Sequence, residues 1–176
     1  LVIYHPSPVL NDDSIVFENI LKSLKNKNIF SFVSYPNTDS NKSKIIKIIE
    51  KYKKDKNFYF YKNLDRDIFL SIFKMSKFII GNSSAGIYEA ASIPIPAINV
   101  GKRQQGRMAG ENVVFCGTSI EEITMNIEKA ITPIFSSSIK NIVNPYGDGR
   151  SANRAYKLIK EIDLKSQIQK VEDPLC

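Results

Sequence analysis

One histidine, no tryptophan and two cysteines in 176 residues narrow the chemistry before any motif is read. A lone His5 excludes a His-rich metal site. Cys116 in an apolar run and Cys176 at the last position form neither a disulfide framework nor a metal-ligand spacing. No metal and no bound cofactor is therefore expected. No run nears the ~20 apolar residues of a membrane span, and no secretory signal peptide is visible, so a cytoplasmic protein with no membrane partner is the default expectation. Acidic residues are in deficit: 25 Lys and Arg against 18 Asp and Glu give +7. That charge favours anionic partners without choosing among nucleotides, nucleic acid and membrane surfaces, and compositional drift toward Lys explains it equally well. The initiator Met is missing too. The chain opens inside an apolar run, which reads as a fragment of a longer protein.

Hydrophobic residues make up 43% and charged residues 24%, ordinary for a globular chain long enough for one substantial core. No internal repeat or low-complexity linker interrupts it. Apolar runs at Leu1–Tyr4, Ile29–Tyr35, Asn57–Tyr61, Phe78–Ile80, Ile95–Val100 and Asn112–Cys116 predict strands. Between them, helical spacing follows a Ser14 cap (Ile15, Phe17, Ile20, Leu21, Leu24), then recurs over Lys42–Lys53, over Leu64–Met75 after an Asp65 cap, over Ile87–Ala91, Ser119–Ile131 and Ala152–Ile162. Ile68, Phe69, Ile72 and Phe73 are the expected buried face of the third helix. Pro133 to Gly149 reads as an irregular Ser/Pro/Gly-bearing stretch, and residues from Lys165 as a polar tail. Strands alternating with helices predict an α/β fold with a parallel sheet and helices on both faces.

In such a sheet the ligand lies beyond the carboxyl ends of the strands, where strand order reverses. For the commonest order that crevice falls between the first and fourth strands, which end in Tyr4-His5-Pro6 and Gly81-Asn82-Ser83-Ser84. Gly81 permits a tight exit, Ser83 and Ser84 offer hydroxyls, and Ala85 and Gly86 are expected to keep the approach open to the N–H groups of a helix start that suits phosphate. A plain Ser-capped turn is the competing reading. The spacing is neither a Walker loop nor a dinucleotide fingerprint. His5 is either a hydrogen-bonded structural residue or a phosphate donor or acid in the crevice. Glu89, one turn into that helix, needs a partner if buried: a ligand hydroxyl, a lysine or loop N–H groups. Gly101–Arg107 carries three cations between glycines and reads as an anion-gripping loop or a solvated basic turn. Asn144–Arg150 is a second polar turn.

Three stretches in order, GNSSAGIYEA, IPAINVGKRQQGRMAGENVV and NPYGDGRSANR, resemble the C-terminal half of the hydrolysing UDP-N-acetylglucosamine 2-epimerases, in the branch that feeds sialic and related nonulosonic acids. The resemblance runs from about Leu1 to Ile162. It implies one Rossmann-like half of a GT-B type two-domain fold: a UDP-binding C-terminal domain over residues 1–163, a polar tail over 164–176, and an N-terminal domain that is absent. It implies that His5 faces the nucleotide diphosphate and assists catalysis, that Ser83, Ser84 and Ala85 hold the phosphates, that Glu89 grips the ribose hydroxyls, and that uracil lies against the Tyr61–Leu64 segment, Asn63 included. Arg103 and Arg107 fall in the loop typical of that branch and are candidates for phosphate or sugar contacts. The implied reaction takes UDP-N-acetylglucosamine and water to N-acetylmannosamine and UDP through a 2-acetamido glycal. Its acid–base carboxylates belong to the N-terminal domain, so this polypeptide alone is expected to bind UDP or a UDP-N-acetylhexosamine weakly without turnover.

Two alternatives stand beside this reading: a non-catalytic truncated nucleotide-sugar-binding domain, and the donor-binding half of a GT-B glycosyltransferase. The missing half is the expected partner, a homodimer is left open, and dispersed basic residues with no recognised module argue against nucleic acid.

Overall fold

The computed structural model describes residues 1–7, 13–38 and 42–163. The polar tail and Cys176 lie outside the described residues. The chain divides into two compact units, Leu1–Pro145 and Tyr146–Cys176.

The first unit is a six-stranded sheet whose pairings are all parallel. Its strands are β1 (Val2–Ile3), β2 (Ser31–Ser34), β3 (Phe58–Tyr61), β4 (Ile79–Gly81), β5 (Ala97–Val100) and β6 (Val113–Cys116). The helices are α1 (Asp13–Asn26), α2 (Lys42–Tyr52), α3 (Arg66–Met75), α4 (Ala85–Tyr88), α5 (Ile120–Ala130) and α6 (Pro133–Ser138). The spatial order is β3-β2-β1-β4-β5-β6, the doubly wound arrangement with its reversal between β1 and β4. This is a Rossmann-like α/β fold of the kind that forms one half of a GT-B protein.

Alternation along each strand makes the two faces. Val2, Val33, Ile80 and Ile98 join Phe17, Ile20, Leu21 and Leu24 of α1, Ile45 and Ile49 of α2, and Ile123 and Ile127 of α5 in one core. Ile3, Ile79 and Ala97 point the other way, to Phe73 of α3 and Ala85 of α4. Each fully buried aliphatic side chain contributes roughly 1.5–3 kcal/mol, so the first core dominates. The Cys116 thiol sits in it, its pKa pushed up to about 12 by burial, which makes it a packing residue and not a nucleophile.

Several expectations need correction. α1 starts at Asp13, one residue before Ser14. Asp13 is buried because it accepts from the Tyr4 hydroxyl (3.0 Å) and the Ser7 N–H (2.7 Å). Asp65 occupies the N-cap of α3 but makes no side-chain cap bond. On that helix only Phe73 is fully buried, while Ile68 is half exposed. Phe69 and Ile72 pack against the second core partly buried. The short fourth helix sits at Ala85–Tyr88, two residues ahead of Ile87–Ala91. A helix also interrupts the supposedly irregular stretch: the Thr132 hydroxyl accepts from the Phe135 N–H at 3.2 Å and Pro133 takes the first turn of α6, the favoured place for a proline. At α5 the Ser119 hydroxyl caps the helix, accepting from the Glu122 N–H at 3.2 Å and donating to the Glu122 carboxylate at 3.0 Å.

The second unit holds α7 (Ser151–Glu161). Ahead of it Asp148 takes a bidentate pair from Arg154, 2.8 Å on each arm, which holds the carboxyl below its ordinary pKa.

The Leu1 nitrogen is buried and donates to the Phe78 carbonyl at 3.0 Å.

Candidate functional site

The site is built where β1 and β4 part. β4 stays in the ladder as far as Gly81, paired with Ile3, and the Asn82 N–H still donates to the Ile3 carbonyl at 3.2 Å. Then the chain turns away into Ser83. Gly81 has φ +142°, and a Cβ there would stand 2.0 Å from the Ile3 carbonyl oxygen. Only glycine lets the two strand ends approach this closely.

Past the ladder the Asn82 side chain takes over. Its Oδ1 accepts from the His5 N–H and its Nδ2 donates to the His5 carbonyl, both at 2.8 Å. The Asn82 carbonyl accepts twice more, from Gln104 Nε2 at 3.0 Å and Arg103 Nη1 at 3.1 Å. One residue, 1% exposed, thus joins the first strand end, the fourth strand end and the Gly101–Arg107 loop. Gln104 is equally buried among charged sequence neighbours.

His5 sits half-buried on this scaffold, with its Nδ1 accepting from the Asn37 N–H at 3.3 Å. Its neighbour Tyr4 is anchored below by Asp13. Burial first, then the Asp13 charge, push the Tyr4 phenol well above its ordinary pKa, so Tyr4 is a fixed donor and not an acid.

Ser83 and Ser84 follow Asn82 directly in the chain. Their own N–H groups make no hydrogen bond among the described residues, whereas those of Gly86 and Ile87 are spent on Ser83 and Ser84 carbonyls at 3.2 and 2.9 Å. The Ala85 N–H donates to Ser83 Oγ at 3.3 Å. Ala85 and Gly86 are buried, and a Cβ on Gly86 would meet Ala97, Asn99 and Ile79 at ordinary contact distance. A Cβ would thus fit at Gly86 without a shift of β4 or β5. The donors left for an anion come from Ser83 and Ser84, backbone and hydroxyl alike.

Glu89 follows at the C-cap of α4, half-buried, its carboxylate making no hydrogen bond or ion pair among the described residues. Arg103 is half-buried and committed in part to Asn82. Arg107 is exposed, donates to the Tyr88 hydroxyl at 2.9 Å and lies 5.7 Å over that ring. Asn63 is exposed in the loop after β3, two strand spacings of ~4.8 Å from β1 along the same carboxyl edge. So His5, Ser83, Ser84 and Arg103 cluster around Asn82, Glu89 and Arg107 extend the cluster along α4, and Asn63 stands apart from it.

Sequence reasoning missed Asn82, Gln104, Asn37 and Tyr88. Asn82 had a signal, since an amide at the exit of a strand beside the reversal point can bond an adjacent strand end. Gln104 had none.

What the arrangement can do is bind an anion: one turn of two serines with unspent N–H groups, a histidine and the Arg103 guanidinium meet around Asn82, with Arg107 farther along α4. Among the described residues no group of three His, Cys, Asp or Glu could hold a metal, and no helix is long and apolar enough to cross a membrane.

Comparison with known proteins fits this picture. A family model described as UDP-N-acetylglucosamine 2-epimerase matches residues 1–160. A Legionella pneumophila relative named UDP-N,N'-diacetylbacillosamine 2-epimerase (hydrolyzing) is 34% identical over 170 residues, 96% of this chain and 44% of the relative. Two solved structures share the fold: a Methanocaldococcus jannaschii UDP-GlcNAc 2-epimerase in complex with UDP-GlcNAc and UDP, at TM-score 0.73 and 16% identity over 90% of this chain and 44% of the other, and an S. aureus MnaA–UDP complex, at TM-score 0.73 and 18% identity over 98% and 46%. The chain spans less than half the length of these proteins.

Proposed function

We infer the function from one premise, that this chain belongs to the UDP-N-acetylglucosamine 2-epimerase family. It is the C-terminal, UDP-binding half of a hydrolysing 2-epimerase acting on UDP-N-acetylglucosamine or a diacetamido relative, in nonulosonic acid synthesis. In that reaction a base takes the C2 proton, the C1–O bond breaks with its electron pair leaving on UDP, and water adds to the resulting 2-acetamido glycal. The present residues serve the leaving group. Ser83 and Ser84 donate to the pyrophosphate, His5 and Arg103 neutralise the charge that grows as UDP departs, and Glu89 takes the ribose hydroxyls. Asn63 and its loop lie toward the base. The groups that move the C2 proton belong to the length of the relatives that this chain does not span.

The observation that carries this reading is the tie between His5 and Asn82 at the β1/β4 reversal, which puts a histidine and an unspent serine turn on one rim. Titration calorimetry of the chain with UDP should give a Kd of roughly 0.01–1 mM, with uridine much weaker and no UDP released from UDP-N-acetylglucosamine. A folded chain that ignores UDP would overturn the assignment of the crevice, and turnover by the chain alone would overturn the division of labour.

A further inference from the structure

We propose that Asn82 is a positioning residue that, together with the Asn37 N–H, fixes His5 as a hydrogen-bond donor and bars it from acting as a base when neutral. Its place at the pyrophosphate rests on the reading above; the geometry of the residue itself does not.

Consider first the backbone. In a parallel ladder the N–H and C=O of one residue are held by two residues of the neighbouring strand. At His5 both are held by a single side chain, with two bonds of 2.8 Å. The amide cannot be turned over, because a flip would face NH2 against N–H and oxygen against oxygen. Asn82 therefore continues β1 as far as His5 after β4 has veered into the serine turn. It fixes the backbone from which the imidazole projects while leaving that turn room to meet a ligand. The tie is held from behind as well. Gln104 and Arg103 both donate to the Asn82 carbonyl, which fills its two lone pairs.

Now the ring. The Asn37 N–H points at Nδ1, and a ring nitrogen that accepts carries no proton. The neutral imidazole must then hold its proton on Nε2. A ligand oxygen meeting Nε2 finds a donor and nothing that can take a proton from it. For a departing diphosphate this is the useful polarity, since the developing negative charge is met by N–H at every contact. It also divides the labour: His5 stabilises the leaving oxygen, and the C2 proton goes elsewhere.

The chain has one histidine, so its imidazole can be read without assignment. Long-range proton–nitrogen NMR on the uniformly 15N-labelled chain, well above the titration of the ring, should show the Nε2–H tautomer in large excess. Asn82→Ala should bring the two ring nitrogens toward averaged shifts and weaken UDP binding by about ten-fold. Should alanine unfold the chain, Asn82→Asp keeps the size and the acceptor but loses the bond to the His5 carbonyl, and it should show the same averaging. An Nδ1–H tautomer or an even mixture in the native chain overturns the proposal, as does an unchanged ring signature in a folded Asn82 variant. A tautomer locked by Asn82 in a chain that ignores UDP would leave this inference standing and sink the nucleotide reading, so the two fail separately.

Discussion

Gly81→Ala should destabilise the chain by about 3 kcal/mol or more and abolish UDP binding at any concentration where the native chain is half saturated. Two costs add at this position. Alanine is forced into φ +142°, and its Cβ would lie 2.0 Å from the Ile3 carbonyl oxygen. That oxygen is backbone in a paired strand and cannot step aside as a side chain would. The strands must spread, and the 3.2 Å bond from the Asn82 N–H to Ile3 is lost with them. Spreading also draws Asn82 away from His5, so the binding rim goes with the fold. Gly106→Ala is the control: φ is +81° there, but nothing stands within 4 Å. It should cost only the left-handed conformation, ~1–2 kcal/mol. Urea unfolding of both variants separates the collision from the dihedral. Equal losses in the two would mean that the close approach of β1 and β4 carries no energy of its own.

The architecture around Gly81 was legible because it rests on periodicity. Val2 and Ile3, or Ile79 and Ile80, announce buried strands, and the helical spacing between them announces crossovers. Once the strands alternate with helices, the reversal between the first and fourth follows from the commonest strand order. Side-chain roles inside the loops obey no such period. Gln104 sits between Arg103 and Gln105 and is buried because it meets the Asn82 carbonyl, a partner far away in sequence. Asp13 looks like a surface acid ahead of a helix, yet the Tyr4 hydroxyl and the Ser7 N–H draw it inside. Ile68 misleads in the other direction, for its spacing fits a buried stripe that the sheet face does not fully cover. Polar burial is decided by which loops meet, and a one-dimensional pattern records only what each segment would do alone.

Glu89 tests whether the rim is built for a nucleotide and not merely for an anion. A carboxylate beside a pyrophosphate site repels the phosphates, so its presence near Ser83 and Ser84 makes sense only if it gains a donor from the same ligand. Ribose hydroxyls are such donors, and a hydrogen bond to a charged acceptor is worth roughly 1.5–3 kcal/mol. Glu89→Ala should therefore weaken UDP by roughly 10- to 100-fold while leaving stability within about 0.5 kcal/mol of native, since the carboxylate has no protein partner to lose among the described residues. The ligand side of the cycle is 2′,3′-dideoxy-UDP. It should bind the native chain more weakly by the same factor and bind Glu89→Ala no worse than UDP does, because the interaction it lacks has already been removed. If Glu89→Ala instead binds UDP more tightly, repulsion was all the carboxylate supplied, and the rim is a general phosphate cradle with the ribose held elsewhere.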